Sequence, residues 1–345
     1  MKKNLFYNLL GSVSAVVIAI VLGCILIYAI GKNPFEVLSI LFANTFSNSY
    51  AIGQIFFKAT PLIFTGLCVA FAFRSGLFNI GAEGQLNIGG IAIAFIGFSF
   101  LNLPSIILIP LCLLAGFIAG GLWASIAGYL KARFGSHEVI NTIMLNFIAL
   151  AFVSYLVNKV FRVSATIHTP EVSSNAYLSR FDSLFGIFNG SPFNLSFLIA
   201  VLCCLVMYVI FDKTILGYEL KTIGLNINAA KYAGLNVKKL FITSMFISGG
   251  FAGLVGSNFV MGYKHYYELG FAEGTGYLGI AVALMSRNNP IAIIFVALFF
   301  GMLDYGGLSV NAIVPKEIIT IIQSLIIILV IIFSKVSEKM NLKNA

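Results

Sequence analysis

Arg74-Ser75-Gly76-Leu77-Phe78-Asn79-Ile80-Gly81-Ala82-Glu83-Gly84-Gln85-Leu86-Asn87-Ile88-Gly89-Gly90 joins two apolar runs, 59–73 and 85–101, and differs from both in composition. Five glycines, two asparagines, a glutamine and a carboxylate imply backbone that breaks at or near membrane depth, where only protein or a water-filled cavity can satisfy its polar groups. Glycine-rich breaks of this kind suit a substrate path built from discontinuous helices. An ordinary turn accounts for the same residues, with Glu83 pairing Arg74 or capping a helix. Either way the segment is a connection between membrane helices.

The rest of the chain supplies the membrane. Its 345 residues are 59% hydrophobic and 10% charged, against roughly 25% charged in an average soluble domain. Apolar runs of helix-spanning length fall near 9–30, 59–73, 85–101, 105–130, 138–158, 194–211, 241–261, 291–306 and 317–334, and a shorter one, 275–285, ends at Arg287-Asn288-Asn289-Pro290. If the short run crosses, the fold is an all-α polytopic membrane protein of about ten helices with both termini cytoplasmic. The Lys/Arg count favours this: fourteen basic residues fall inside and seven outside, accounting for all 21. Those seven are Lys32, Lys58, Lys159, Arg162, Arg180, Lys264 and Lys316.

The chain reads as a single transmembrane domain over 1–345. Residues 1–58 form an anchor helix and an amphipathic external segment at 33–49, residues 59–334 the core, and residues 335–345 a cytoplasmic tail. Lys2 and Lys3 before the first run resemble a secretory signal, and Val21-Leu22-Gly23-Cys24 approaches a lipoprotein cleavage box. The run continues six residues past Cys24, which reads as a retained anchor. Residues 159–193 form a polar external loop. The internal loop 212–240 carries five lysines and a short helical pattern: Asn226 or Asn228 as N-cap, Ala229-Ala230-Lys231-Tyr232-Ala233, then Gly234 as a left-handed C′ residue. A short, capped, basic helix on the cytoplasmic side is a docking element.

Several classes are excluded by missing parts. The formal charge of +9 comes from singly scattered basic residues with no aromatic-interleaved basic face, which argues against nucleic acid. There is no HExxH, no GxSxG and no GxxxxGK[ST] phosphate loop, so neither catalysis nor nucleotide-driven work is expected of this chain alone. The five cysteines lie in apolar runs and read as free thiols; no metal site is expected.

Gly116 and Gly120, and likewise Gly249 and Gly253, have the small-xxx-small spacing that lets membrane helices approach closely. Arg287-Asn288-Asn289-Pro290 is a second interruption, and with the first it suggests an inverted internal repeat. Asp304 lies in or at the mouth of a helix, with a structural hydrogen bond and a translocation role both open. Asn141 and Asn146 fit interhelical hydrogen bonding better than ligand contact. Asn79, Glu83, Gln85, Asn87, Asn141, Asn146 and Asp304 are the candidate pathway residues. An ion-coupled secondary transporter remains an alternative, though it would normally place more ionisable groups within its spans than Asp304 and Glu83.

Three segments carry a family resemblance. The run Pro61-Leu62-Ile63-Phe64-Thr65-Gly66-Leu67, followed by Phe73 to Gln85, resembles the permease subunits of bacterial ABC importers in the ribose, branched-chain amino acid and nucleoside group. Ile223 to Val237, followed by Ile247 to Gly256, is similar to that family's ATPase-docking segment and the helix after it. Ala281 to Pro290 fits near the family's C-terminal end, with Ser286 where relatives often have glycine. Phe78-Asn79-Ile80-Gly81-Ala82-Glu83-Gly84-Gln85 is most similar to the larger permease of nucleoside importers; permeases for ribose, other simple sugars or branched-chain amino acids are the alternatives within the family. The resemblance implies a multi-pass chain in the bacterial cell membrane, in contact with lipid. It further implies a cytoplasmic ABC ATPase that carries ATP and Mg and docks on Asn226, Asn228, Ala229, Ala230, Lys231, Tyr232, Ala233 and Gly234. A second, shorter permease and an extracytoplasmic substrate-binding lipoprotein would complete the importer.

Overall fold

The computed structural model describes residues 2–164 and 166–343. Within them the chain is helical, and the only extended pairings are two isolated bridges, His168 with Glu268 and Arg180 with Asn194. In chain order the helices are α1 (Lys2–Ala29), α2 (Pro34–Thr45), α3 (Ser49–Arg74), α4 (Ala82–Ser99), α5 (Ser105–Phe134), α6 (Glu138–Tyr155), α7 (Phe181–Phe185) and α8 (Ser196–Lys213). They continue with α9 (Ile215–Leu225), α10 (Ile227–Tyr232), α11 (Val237–Gly253), α12 (Thr275–Met285), α13 (Pro290–Ser309) and α14 (Lys316–Lys343). The last two residues of the expected tail, 344 and 345, lie outside the described residues.

Among the described residues six helices are long and apolar enough to cross a membrane: α3, α5, α6 with its π turn to Val160, α8, α11 with the π turn ending at Met261, and α13. The other runs expected to span correspond to α1, α4, α12 and α14. Residues 17–29 of α1 meet α2 at 119°, so the amphipathic segment turns off the anchor helix as a separate element. Its Val37, Leu41 and Thr45 are buried while Phe35 and Phe42 are exposed.

α3 and α11 form the centre, with 89% and 78% of their apolar windows buried, while the windows of α5, α6 and α8 are 28% buried. A helix that is apolar all round can fill either role, so burial depends on its neighbours. Between α5 and α11 the two small-residue motifs meet each other. A Cβ on Gly253 would overlap the Gly116 carbonyl oxygen, and one on Gly249 the Gly120 carbonyl oxygen. That contact gives the close backbone approach that such spacing permits.

Two helices begin inside the bundle. The Thr65 hydroxyl donates to the Thr275 carbonyl at 3.2 Å. Thr65 lies nine residues before the end of α3, about 13 Å along the axis, so α12 starts well inside. Its eleven residues span only about 16 Å, half of a ~30 Å core. α4 begins near Asn146, eight residues past the start of α6, because the Gly84 amide donates to the Asn146 side chain at 2.8 Å.

Three expectations are corrected here. Lys58 lies within α3, ten residues into the helix rather than in an external loop, and the 58/59 boundary between anchor region and core falls inside that helix. Lys58 interrupts the apolar run, but a partly exposed ion pair with Asp304 lets the helix carry this charge. Arg287-Asn288-Asn289-Pro290 is a tight turn between α12 and α13. Arg287 and Asn288 are left-handed there (φ 53° and 57°), and Asn289 caps α13 at the Ile291 and Ala292 amides. The break inside the bundle is at the other end of α12, around Gly270 and Gly274. Gly274 takes φ +81° there, which an L side chain resists.

The loop 159–193 is built against residues 261–268. The Thr169 amide donates to the Tyr267 carbonyl at 2.9 Å, Val172 to His265 at 2.8 Å and Leu178 to Met261 at 2.9 Å. Arg180 donates to the Tyr263 carbonyl at 3.0 Å, and the His265 ring stacks on Tyr177 with centroids 3.6 Å apart.

Candidate functional site

Asn79 and Gln85 form a reciprocal amide pair. The Asn79 Nδ2 donates to Gln85 Oε1 and the Gln85 Nε2 to Asn79 Oδ1, both at 3.0 Å. Asn79 Nδ2 also donates to Ser248 Oγ at 2.8 Å, and the Ser248 hydroxyl donates to the Cys68 carbonyl at 2.6 Å. All four side chains are buried. In low dielectric such a network is rigid when satisfied and costly when broken. Asn79 and Gln85 therefore lock the 75–81 connection onto α3 and α11.

Glu83 acts at the second internal break. Its Oε1 accepts from the Gly274 amide at 2.9 Å and its Oε2 from the Gly276 amide at 2.8 Å. A buried carboxylate is thus paired with the positive N-terminus of α12, satisfying two amides that start that helix. Of the alternatives in the sequence, helix capping is what Glu83 does. Arg74 turns elsewhere, donating to the Phe211 carbonyl at 3.4 Å with its guanidinium 4.8 Å from the Phe211 ring.

Asn87 donates to the Glu83 carbonyl at 2.7 Å and accepts from the Tyr267 hydroxyl at 2.6 Å. Asn146 binds the Ile80 carbonyl at 3.0 Å and the Gly84 amide, joining α6 to α4. Asn141 does not join these groups; it donates to Ser136 at 2.6 Å near the start of its own helix. Asp304 pairs with Lys58 at 3.0 Å across α3 and α13. Glu83 and Asn87 line one cavity of about 430 Å³. Asp304 and Lys58 line another of about 410 Å³. Glu273 and Gly270 line both, so the 270–274 segment lies between them.

Sequence reasoning missed Lys58, Ser248, Tyr267 and Glu273. Ser248 precedes a glycine pair read only as packing, and Tyr267 falls in a stretch that has no apolar period. Glu273 carried a usable signal, because Ala-Glu-Gly at 82–84 recurs at 272–274.

The loop between α8 and α11 is the second candidate site. Asn226 is the N-cap of α10, accepting from the Asn228 and Ala229 amides at 2.9 and 3.1 Å. At the other end Gly234 has φ +80°, its amide reaches the Lys231 carbonyl at 3.0 Å, and the Leu235 amide reaches Ala230 at 3.1 Å. That is a complete Schellman termination. Ala230 is buried beneath the helix, while Asn226, Asn228, Ala229, Lys231, Tyr232, Ala233 and Gly234 are exposed. Ile215, Tyr218 and Leu225 add further exposed apolar surface. The loop also touches the polar centre: a Cβ on Gly224 would overlap the Arg74 carbonyl oxygen, and Gly76, at φ +73°, faces the Gly224 Cα.

Comparison with known proteins places the chain among transporters. Residues 51–333 match the family described as the branched-chain amino acid transport system / permease component. The chain is 38% identical to the guanosine ABC transporter permease protein NupP of Bacillus subtilis, over 94% of this chain and 93% of that protein. It is 36% identical to the nucleoside ABC transporter permease protein NupB of Lactococcus lactis, over 91% and 88%. To the glucose ABC transporter permease protein TsgB13 of Haloferax volcanii it is 31% identical, over 92% and 86%. A second permease protein named for guanosine in the first organism and one named for nucleosides in the second also match, at 28% and 26% identity.

Proposed function

This chain belongs to the permease component family of branched-chain amino acid transport systems and is a multi-pass ABC importer permease; from that premise we propose that the solute it carries is a nucleoside. The observation that carries the choice of solute is the identity over more than nine tenths of the chain to permeases named for guanosine and for nucleosides, above that to the glucose permease.

The working importer then contains a second permease, in keeping with the two permeases named for guanosine in one organism. An extracytoplasmic binding lipoprotein delivers the solute, and a cytoplasmic ATPase binds ATP and Mg on its own residues. The ATPase seats on α9 and α10, whose exposed Ile215, Tyr218, Leu225 and Tyr232 give it apolar contact. Lys221, Lys231, Lys238 and Lys239 orient it by charge. Both termini and this loop face the cytoplasm, and 159–193 faces outward.

The driving step is a change of equilibrium between two states that the ATPase contacts differently. A displacement of α9 pushes on Arg74–Gly76 through the Gly224 contact. Asn79 lies three residues further on and is tied to Gln85 in α4, whose Glu83 holds the start of α12. The same polar side chains thus hold the helices in place and link the docking face to the 270–274 segment.

The test is uptake of labelled guanosine by cells lacking the gene, with and without the restored chain, against unlabelled ribose, leucine and other nucleosides. Restored, ATP-dependent uptake competed by nucleosides alone is expected. Competition by ribose, or no guanosine uptake, would move the solute to the sugars or amino acids.

A further inference from the structure

The 410 Å³ cavity beside α3 lies in the range of about 300–1,000 Å³ typical of small-molecule sites. Its position within the bundle is fixed at two levels. Thr275 lies at the depth of Thr65, and Lys58 lies seven residues from Thr65, about 10 Å further along α3. The cavity therefore lies beside the middle of α3, between the levels of Lys58 and Thr65.

Its walls are of two kinds. Phe259 and Phe271 stand edge to face, with ring centroids 5.1 Å apart at 76°, and both remain partly exposed. The remaining wall is charged. Lys58 and Asp304 are partly exposed as a pair, and Glu273 is exposed. The Glu273 carboxylate makes no hydrogen bond or ion pair among the described residues. An ionisable group at this depth is costly unless it is paired or wetted, and marks a solute or ion path.

We propose that this cavity is the nucleoside-binding chamber of the path, with Phe271 stacking on the base, Phe259 meeting it edge-on, and Lys58, Glu273 and Asp304 hydrogen-bonding the ribose hydroxyls. The proposal rests on the nucleoside reading above and adds to it the site that recognises the solute. Carboxylates only accept and an ammonium only donates, whereas hydroxyls do both, so a ribose diol satisfies all three side chains. A free sugar leaves the aromatic wall unused. A zwitterionic amino acid can pair with these charges through its ammonium and carboxylate, but an aliphatic one leaves the aromatic wall without a ring to stack on. Glu83 is a positioning residue here: by holding the Gly274 amide it fixes the neighbouring Glu273 at the cavity.

Thr275 lines the same cavity and supplies the probe. Right-side-out vesicles carrying the complete importer, with ATP inside, are treated with a small thiosulfonate reagent, comparing Thr275→Cys with the parent chain. During turnover, guanosine is expected to slow modification of Thr275→Cys at least five-fold, and ribose to leave it unchanged. Adding Glu273→Gln removes the protection, judged as the ratio of that variant's own rates with and without guanosine. Phe271→Leu, which keeps apolar bulk but loses the ring face, lowers guanosine uptake relative to cytidine about five-fold, since stacking weakens most for the larger base. Guanosine uptake by the parent chain without protection at Thr275→Cys would overturn the chamber and leave the nucleoside reading standing. No guanosine uptake by the parent chain would overturn both.

Discussion

Asn79 and Asn141 are the same residue type with opposite circumstances. Asn79 is buried and its amide serves Gln85 and Ser248, while Asn141 is half-buried and serves Ser136. Asn79→Ala strands two buried partners and should lower stability by about 1–3 kcal/mol. Asn141→Ala should cost no more than about 0.5 kcal/mol. Thermal unfolding of the detergent-purified chain checks both, and equal losses would deny the network its role. His265 gives a pH dependence. Burial, reinforced by the neighbouring Arg180 and opposed by Glu171, holds its pKa below the ordinary 6.5. The unfolded chain therefore binds a proton before the folded one does, so stability is complete above pH 6.5 and declines as pH falls below it. Cleavage at Tyr177 by external chymotrypsin, taken relative to its rate on an unfolded substrate at the same pH, should rise below pH 6.5 in the parent and stay flat in His265→Gln.

At the scale of single elements, α10 was legible in the sequence because its signals are local. An asparagine cap, an alanine-rich turn and a glycine stop act within ten residues, and the structure assigns the cap to Asn226 rather than Asn228. Gly234 has open space around a built Cβ, so a substitution there meets conformational strain alone. Gly234→Val should cost about 1–2 kcal/mol in the docking helix, abolish uptake and co-purification of the ATPase, and leave membrane insertion intact. Gly234→Asn, which tolerates the left-handed region, should retain much of the activity. Normal uptake by Gly234→Val would remove the docking role from α10. By contrast, the ends of α3 and α12 were not legible. Lys58 interrupts the apolar run and is tolerated only because Asp304, 246 residues later, stands 3.0 Å away.

For the whole molecule, the proposed topology puts the turn at Arg287 and the segment at Lys264 at opposite ends of the bundle, with the 270–274 segment and α12 between them in the chain. Arg287→Cys should react with an impermeant thiol reagent only from the cytoplasmic side and Lys264→Cys only from outside. Labelling of both from one side would invert or break the proposed topology. The two helices that start inside the bundle, α4 and α12, come from opposite halves of the chain and meet at Glu83. Between them they give the short apolar run at 275–285 a position that its length alone left ambiguous. The run supplies about half the length of a crossing, and irregular backbone precedes it.

What the sequence by itself determined is whatever depends on composition and on neighbours a few residues apart: a lipid-embedded helical chain, its apolar runs, the short capped helix α10 and the broken stretch at 74–90. Water exclusion and backbone hydrogen bonding act on every residue of a run, so those signals accumulate locally. Only the tertiary structure decided which polar groups share a partner. Glu83 reads alike as an ion-pair member, a cap or a solute contact until the Gly274 and Gly276 amides are placed beside it, 191 and 193 residues away in sequence. The same holds for Gly116 and Gly120 meeting Gly249 and Gly253, since a small-residue motif shows that a helix can be approached but not by which neighbour.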